Sequence, residues 1–95
     1  MSTKEAYEQK LQAQLDEWKA EIDKLKAKAD KAEANAQLEY YKQIEELYSK
    51  RDAAQEKLKE LKEASEDAWE DIKVGVELAW DSLGEAVKSA MLRFK

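Results

Sequence analysis

Residues 11–25, which read LQAQLDEWKAEIDKL, carry an apolar side chain at every third or fourth position. The apolar positions are Leu11, Leu15, Trp18, Ile22 and Leu25. Because an α-helix turns once in about 3.6 residues, this spacing places the five side chains on one face. Charged and amide residues fill most of the positions between them. The stretch therefore predicts an amphipathic helix that buries an apolar stripe against other helices.

The same stripe continues to the end of the chain. Counted from residue 11 to residue 94, with Arg51 taken as a stripe position, its spacing averages about 3.6 residues, the value of a straight helix. The C-terminal third also repeats every eleven residues, with Ala68-Trp69 matching Ala79-Trp80. With Leu11, Leu15, Trp18, Ile22 and Leu25, the predicted interface residues of the self-associating stripe are Tyr40, Ile44, Leu47, Leu58, Leu61, Trp69, Ile72, Val76, Trp80, Leu83, Val87 and Phe94.

Composition supports an all-α fold. The chain has 95 residues, of which 41% are charged, with two glycines and no proline. Such a composition is typical of long helices and coiled coils, and it lacks the turn residues that strands require. A single domain of this length is only marginally able to bury a core. We therefore expect a partner or a second copy of the chain to supply part of the packing surface.

Capping signals predict where the helices begin. Ser2 followed by Glu5 has the spacing of a capping box, which predicts a helix from residue 3. Ser65 and Asp67 are candidate caps in a stretch where we expect a break, although one continuous helix is the alternative. The prediction is a single all-α domain over 1–95, with a long amphipathic helix over about 3–64 and a C-terminal helix over about 67–94, in a coiled-coil or helical-bundle assembly.

Small side chains interrupt the stripe at Ala29, Ala32 and Ala36. Small residues let two helix backbones approach closely, so an antiparallel or crossing helix could pack here. Alternatively, the segment could be a thin part of the helix, rich in helix-favouring alanine, that bends. The sequence leaves both interpretations open.

The chain contains no cysteine and no histidine, which removes thiol chemistry, disulfides and the usual zinc ligands. The acidic residues at 66, 67, 70 and 71 could hold a hard cation weakly, but we interpret them as complementing the positive end of a second helix. The net charge is −5 and the basic residues form no stripe, so nucleic acid is not an expected partner. We predict no enzymatic activity, no metal and no cofactor.

The C-terminal aromatic residues have two interpretations. Trp69 and Trp80 suit a packed core, or they could contact a membrane surface, where tryptophan is common. The polar face of this segment is mainly acidic, which disfavours anionic lipid. A second apolar line formed by Val74, Leu78 and Leu92 lies opposite the main arc and suggests contact on two sides. No segment approaches a membrane span and no signal peptide is evident, so the expected compartment is the cytoplasm.

Three segments resemble a known family. Residues 4–18 (KEAYEQKLQAQLDEW), 36–42 (AQLEYYK) and 79–90 (AWDSLGEAVKSA) are similar to short bacterial coiled-coil proteins of cyanobacteria and proteobacteria that are described as stress-response proteins. The resemblance implies a stress-related setting and implies no catalytic residue. Together with the stripe, it leads us to expect a non-enzymatic structural or interaction protein that forms homo-oligomers. Peripheral lipid binding through the eleven-residue repeat is the alternative.

Overall fold

The first helix, α1 (Thr3–Lys31), begins where the sequence predicts. The computed structural model describes residues 2–94. The Oγ atom of Ser2 accepts a hydrogen bond from the backbone N–H of Glu5 at 3.1 Å. This bond satisfies one of the N–H groups that have no partner within the first turn of the helix. The two terminal residues of the domain predicted over 1–95 lie outside the described residues.

The structure corrects the long helix predicted over about 3–64. After α1 the chain makes a tight turn, which we call the first turn, and a separate helix, α2 (Ala34–Glu63), follows. Ala32 has φ −77° and ψ 159°, and Glu33 has φ −66° and ψ 154°, so both residues are extended. The prediction followed local preference, because alanine and glutamate favour helix. The reversal is favourable because it lets the apolar stripes of α1 and α2 bury each other.

The third helix, α3 (Trp69–Arg93), begins two residues later than the predicted start at 67. The connection before it, residues 64–68, forms the second turn and lies within the stretch where the sequence predicts a break. Ser65 caps this turn, because its Oγ atom accepts a hydrogen bond from the N–H of Ala68 at 3.2 Å. The carbonyl oxygen of Ser65 also accepts from the N–H groups of Ala68 and Trp69, each at 3.1 Å.

The helices run up, down and up in one bundle with extents of 51 × 20 × 18 Å. Packing is more extensive between α2 and either neighbour than between α1 and α3. Arg93 near the end of α3 pairs with Glu39 near the start of α2 at 2.9 Å, as expected for antiparallel neighbours. The predicted all-α class and helical bundle are confirmed.

Near the C-terminal end of each helix, a backbone carbonyl oxygen accepts a hydrogen bond from a side chain of another helix. The donor–acceptor pairs, side-chain nitrogen to backbone oxygen, are Gln37 to Ala29 (3.1 Å), Lys4 to Lys62 (3.1 Å) and Lys28 to Phe94 (3.3 Å). The last carbonyls of a helix have no partner within it, and they carry partial negative charge that a lysine ammonium complements. These bonds therefore tie helix ends together as well as capping them.

Candidate functional site

The predicted contact residues lie together in the centre of the bundle. The buried ones are Leu11, Leu15, Ile22, Leu25, Ile44, Leu47, Leu58, Leu61, Trp69, Val76, Trp80, Leu83 and Val87, and the partly buried ones packed against them are Trp18, Tyr40, Ile72 and Phe94. Burying a large aliphatic side chain fully contributes about 1.5–3 kcal/mol. The apolar stripe is therefore occupied by the chain's own helices.

Aromatic pairs tie the helices together at three levels of the bundle. Tyr40 stacks on Phe94 with ring centroids 4.2 Å apart. Trp18 meets Trp80 at 6.5 Å in a tilted arrangement near the middle. Tyr7, which we did not predict as a contact residue, lies 5.7 Å from the ring of Trp69. Its signal was present in the sequence, since Tyr7 precedes Leu11 by one helical turn and so extends the same stripe.

Arg51 occupies a position of the stripe on α2 without entering the core. The residue is half-buried, and its guanidinium lies 4.5 Å from the centroid of the Tyr48 ring. The same group pairs with Asp52 at 2.9 Å. The aliphatic stem covers apolar surface while the charge stays at the edge. The stripe therefore continues past a charged residue without burying an unpaired charge.

An open groove of about 600 Å³ runs between α1 and α3. It is lined by Gln14, Trp18, Trp80, Asp81, Gly84 and Glu85. The indole nitrogen of Trp80 is buried and has no acceptor among the described residues. A Cβ atom added at Gly84 would lie 3.0 Å from Cζ2 of Trp18, so the absence of a side chain there permits the close approach. The groove combines amide, indole and carboxylate groups.

The outer face of α3 carries exposed apolar side chains, as the second predicted line requires. Val74, Leu78 and Leu92 are 65%, 66% and 60% exposed. Between Leu78 and Leu92 the same face presents the exposed carboxylates of Asp81 and Glu85. The line is therefore interrupted by negative charge and does not form one apolar patch.

Two tyrosine hydroxyls make hydrogen bonds between helices. Tyr41 donates to Oδ1 of Asp30 at 3.0 Å across the first turn, and this bond is the main cause of the raised pKa of Tyr41. Tyr7 donates to Oε1 of Glu77 at 3.4 Å, and burial followed by the charge of Glu77 raises the pKa of Tyr7. Each bond requires a protonated hydroxyl, because a phenolate has no proton to donate.

The acidic residues at 66, 67, 70 and 71 do not converge on one point. Within residues 2–94, no three acidic side chains are grouped as a metal site would require. Across the same described range, no helix combines the length and hydropathy needed to cross a membrane. No known protein family, curated protein or solved structure matches this chain. The apolar stripe and the outer face of α3 are the candidate functional surfaces, because they carry the buried and the exposed large apolar side chains described above.

Proposed function

We propose that this chain is a non-enzymatic interaction protein that associates with further copies of itself through the apolar stripe. The observation that carries the proposal is the common direction of the stripe on α1 and α2. When α1 and α2 are counted as one straight helix at 100° per residue, the mean directions of their buried side chains lie within about 10° of each other. The same side chains can therefore meet within one chain or between two chains. Association of this kind requires no new surface.

The chemistry of the grooves supports a role without catalysis. An enzyme site holds its acids, bases or nucleophiles in a cleft that is partly shielded from water. Asp81 and Glu85, the carboxylates that line the groove between α1 and α3, are instead exposed. The proposal also places the protein in the cytoplasm, in the stress-related setting that the family resemblance implies.

Burial of the aromatic residues favours self-association over lipid binding. Trp69 and Trp80 are 6% and 4% exposed, so the eleven-residue repeat would have to leave the core to reach a membrane surface. Acidic residues accompany the apolar side chains on the outer face of α3, and they repel anionic headgroups. Lipid contact thus carries both a packing cost and an electrostatic cost.

Sedimentation equilibrium over a wide concentration range tests the proposal. We expect the mass to rise from that of one chain, 11.0 kDa, toward twice that value as concentration increases. Co-sedimentation with vesicles of phosphatidylcholine and phosphatidylglycerol should leave the protein in the supernatant. A single-chain mass at every concentration would contradict the proposal.

A matched variant separates the stripe from the outer face of α3. The double substitution Val74→Lys with Leu78→Lys changes two exposed side chains and leaves the core intact. We expect this variant to associate as the wild type does, because the stripe is unchanged. Loss of association would assign the contact to the outer face instead.

A further inference from the structure

We infer that two copies of the chain associate by exchanging α1, with the first turn opening so that α1 and α2 become one helix over about 3–63. This inference rests on the proposed self-association and names its route. In the exchanged dimer each α1 packs on the α2 and α3 of the other copy. The core contacts are the same as in one chain, and only the contacts of the first turn differ.

The first turn contains no residue that requires it. Ala32 and Glu33 are extended, and no residue of the turn has a positive φ. Neither glycine nor proline is present there, and the Glu33 side chain makes no capping hydrogen bond to α2. Helix ends leave N–H and C=O groups without intrahelical partners. Extension of the helix through residues 32 and 33 would pair such groups from both ends at once.

The register of the stripe allows α1 and α2 to join. Leu25 and Ala29 near the end of α1 are buried, and Tyr40 and Ile44 on α2 are partly or fully buried. In a straight helix through the turn, these residues share one face, because the spacing of three and four residues continues through Ala32. The joined helix would therefore present one continuous apolar face to a second copy.

The second turn is less suited to opening. It spans residues 64–68 and contains the hydrogen bond from the N–H of Ala68 to Oγ of Ser65. That bond stabilises the turned conformation, because in a continuous helix the N–H of Ala68 would donate to the backbone carbonyl of Ala64 instead. The first turn is also shorter, two residues against five, and a short connection favours exchange of elements between copies.

The closed chain keeps contacts that exchange would remove. Gln37 donates to the carbonyl oxygen of Ala29 at 3.1 Å, and Tyr41 donates to Asp30 at 3.0 Å. In a straight helix the residues of each pair stand at least eight positions apart and cannot meet. These bonds favour the single chain at low concentration, whereas mass action favours the dimer at high concentration.

The substitution Glu33→Pro tests the route. Proline holds φ near −65° and restricts the preceding residue to extended backbone, which matches Glu33 at −66° and the extended Ala32. The backbone hydrogen bonds at the turn are donated by Ala32 and Gln37, so proline at 33 removes neither. A proline inside the joined helix would lose a hydrogen bond and clash with the preceding turn.

Glu66→Pro is the matched control at the second turn. The hydrogen bonds there are donated by Ala64, Ala68 and Trp69, so this substitution also removes none of them. It places proline within the second turn, three residues before α3 begins at Trp69. The substitution blocks continuation of α2 into α3 and leaves the first turn untouched.

Sedimentation equilibrium compares the wild type with both variants. We expect Glu33→Pro to raise the dimer dissociation constant by about a hundredfold or more, and Glu66→Pro to change it by less than about threefold. A dimer that survives Glu33→Pro would overturn the inference and leave self-association intact. A wild type that never dimerises would overturn the proposed function itself.

A distance measurement gives an independent check in the dimer. The chain lacks cysteine, so Ala20→Cys with Ser49→Cys, at two exposed positions, places spin labels on α1 and α2 alone. In the closed chain the labels lie on neighbouring antiparallel helices, whose axes are about 10 Å apart. In the joined helix they stand about 44 Å apart. Labelled chains diluted into an excess of unlabelled protein should show the long distance at dimer concentrations, and the short distance alone would overturn the inference.

Discussion

The two turns of this bundle have different physical origins. The second turn is stabilised by a local contact, because Oγ of Ser65 accepts a hydrogen bond from the N–H of Ala68, the N-cap residue of α3. The first turn consists of Ala32 and Glu33, two residues that favour helix and provide no cap. This turn is held by the packing of α1 against α2 on either side of it. The comparison shows that a chain reversal can be imposed by tertiary packing against local preference.

The largest expected effect comes from placing a charge in the apolar core, because packing in this core holds the first turn closed. Ile22 is 1% exposed, and Ile22→Asp should destabilise the protein by about 4 kcal/mol or more, because a buried charge without a partner is costly. Chemical denaturation followed by circular dichroism measures the loss. The control Ala20→Asp, at an exposed position on the same helix, should change stability by no more than about 0.5 kcal/mol. Equal effects of the two substitutions would contradict the role of the core.

A pair of glycines in α3 compares helix preference with packing beyond the second turn. Gly75→Ala should stabilise by about 1 kcal/mol, since alanine favours helix and the added Cβ atom meets only the flexible Lys57 side chain, at 3.8 Å. Gly84→Ala should stabilise less or destabilise, because its Cβ atom would press on the Trp18 ring at 3.0 Å. Thermal melts of both variants give the difference, and a larger gain at Gly84 would show that the Trp18 contact is loose.

Removing the hydroxyl at residue 65 and adding one at residue 33 should change the stability of the protein in opposite directions. Ser65→Ala should cost about 1 kcal/mol, because the N–H of Ala68 loses its side-chain acceptor. Glu33→Ser should stabilise by about 0.5–1 kcal/mol, since the extended backbone at residue 33 suits a serine cap. Denaturation midpoints of the two variants measure these changes. No gain from Glu33→Ser would show that the first turn cannot use a local cap.

The smallest expected effect is the pH dependence of the Tyr41 hydrogen bond across the first turn. The pKa of Tyr41 is raised above its ordinary value of 10.0, chiefly by the bond to Asp30. The folded state therefore holds the proton more tightly than the unfolded state. The resulting stability is fully present below about pH 10 and is lost as pH rises through the raised pKa. Tyr41→Phe should flatten the decline in melting temperature above pH 10.

Asp30→Ala provides the matching control for that titration. It removes the acceptor and leaves the tyrosine in place, so it should reduce the same alkaline decline. The double variant should then behave like either single variant, because the two residues share one interaction. Additive effects would show that the hydrogen bond is not the source of the pH dependence.

The faces of the helices and the local hydrogen bonds of Ser2 and Ser65 could be predicted from the sequence. The spacing of three and four residues from Leu11 to Phe94 placed the predicted interface residues on one face, and all of them lie in the core of the single chain or against it. Ser2 and Ser65 could be recognised because each accepts a hydrogen bond from a backbone N–H three residues later, Ser2 at the start of α1 and Ser65 within the second turn. Burial depends on periodicity, and capping depends on neighbours within three residues. Both can therefore be predicted from the amino-acid sequence.

The reversal at residues 32 and 33 depends on packing between helices. Locally, helix is the favoured state for Ala32 and Glu33, and the stripe is compatible with one helix through both residues. The reversal becomes favourable when the stripe of α2 folds back on that of α1, with Gln37 and Tyr41 bonding to the end of α1. The gain comes from apolar area buried between residues distant in sequence, which no local preference contains.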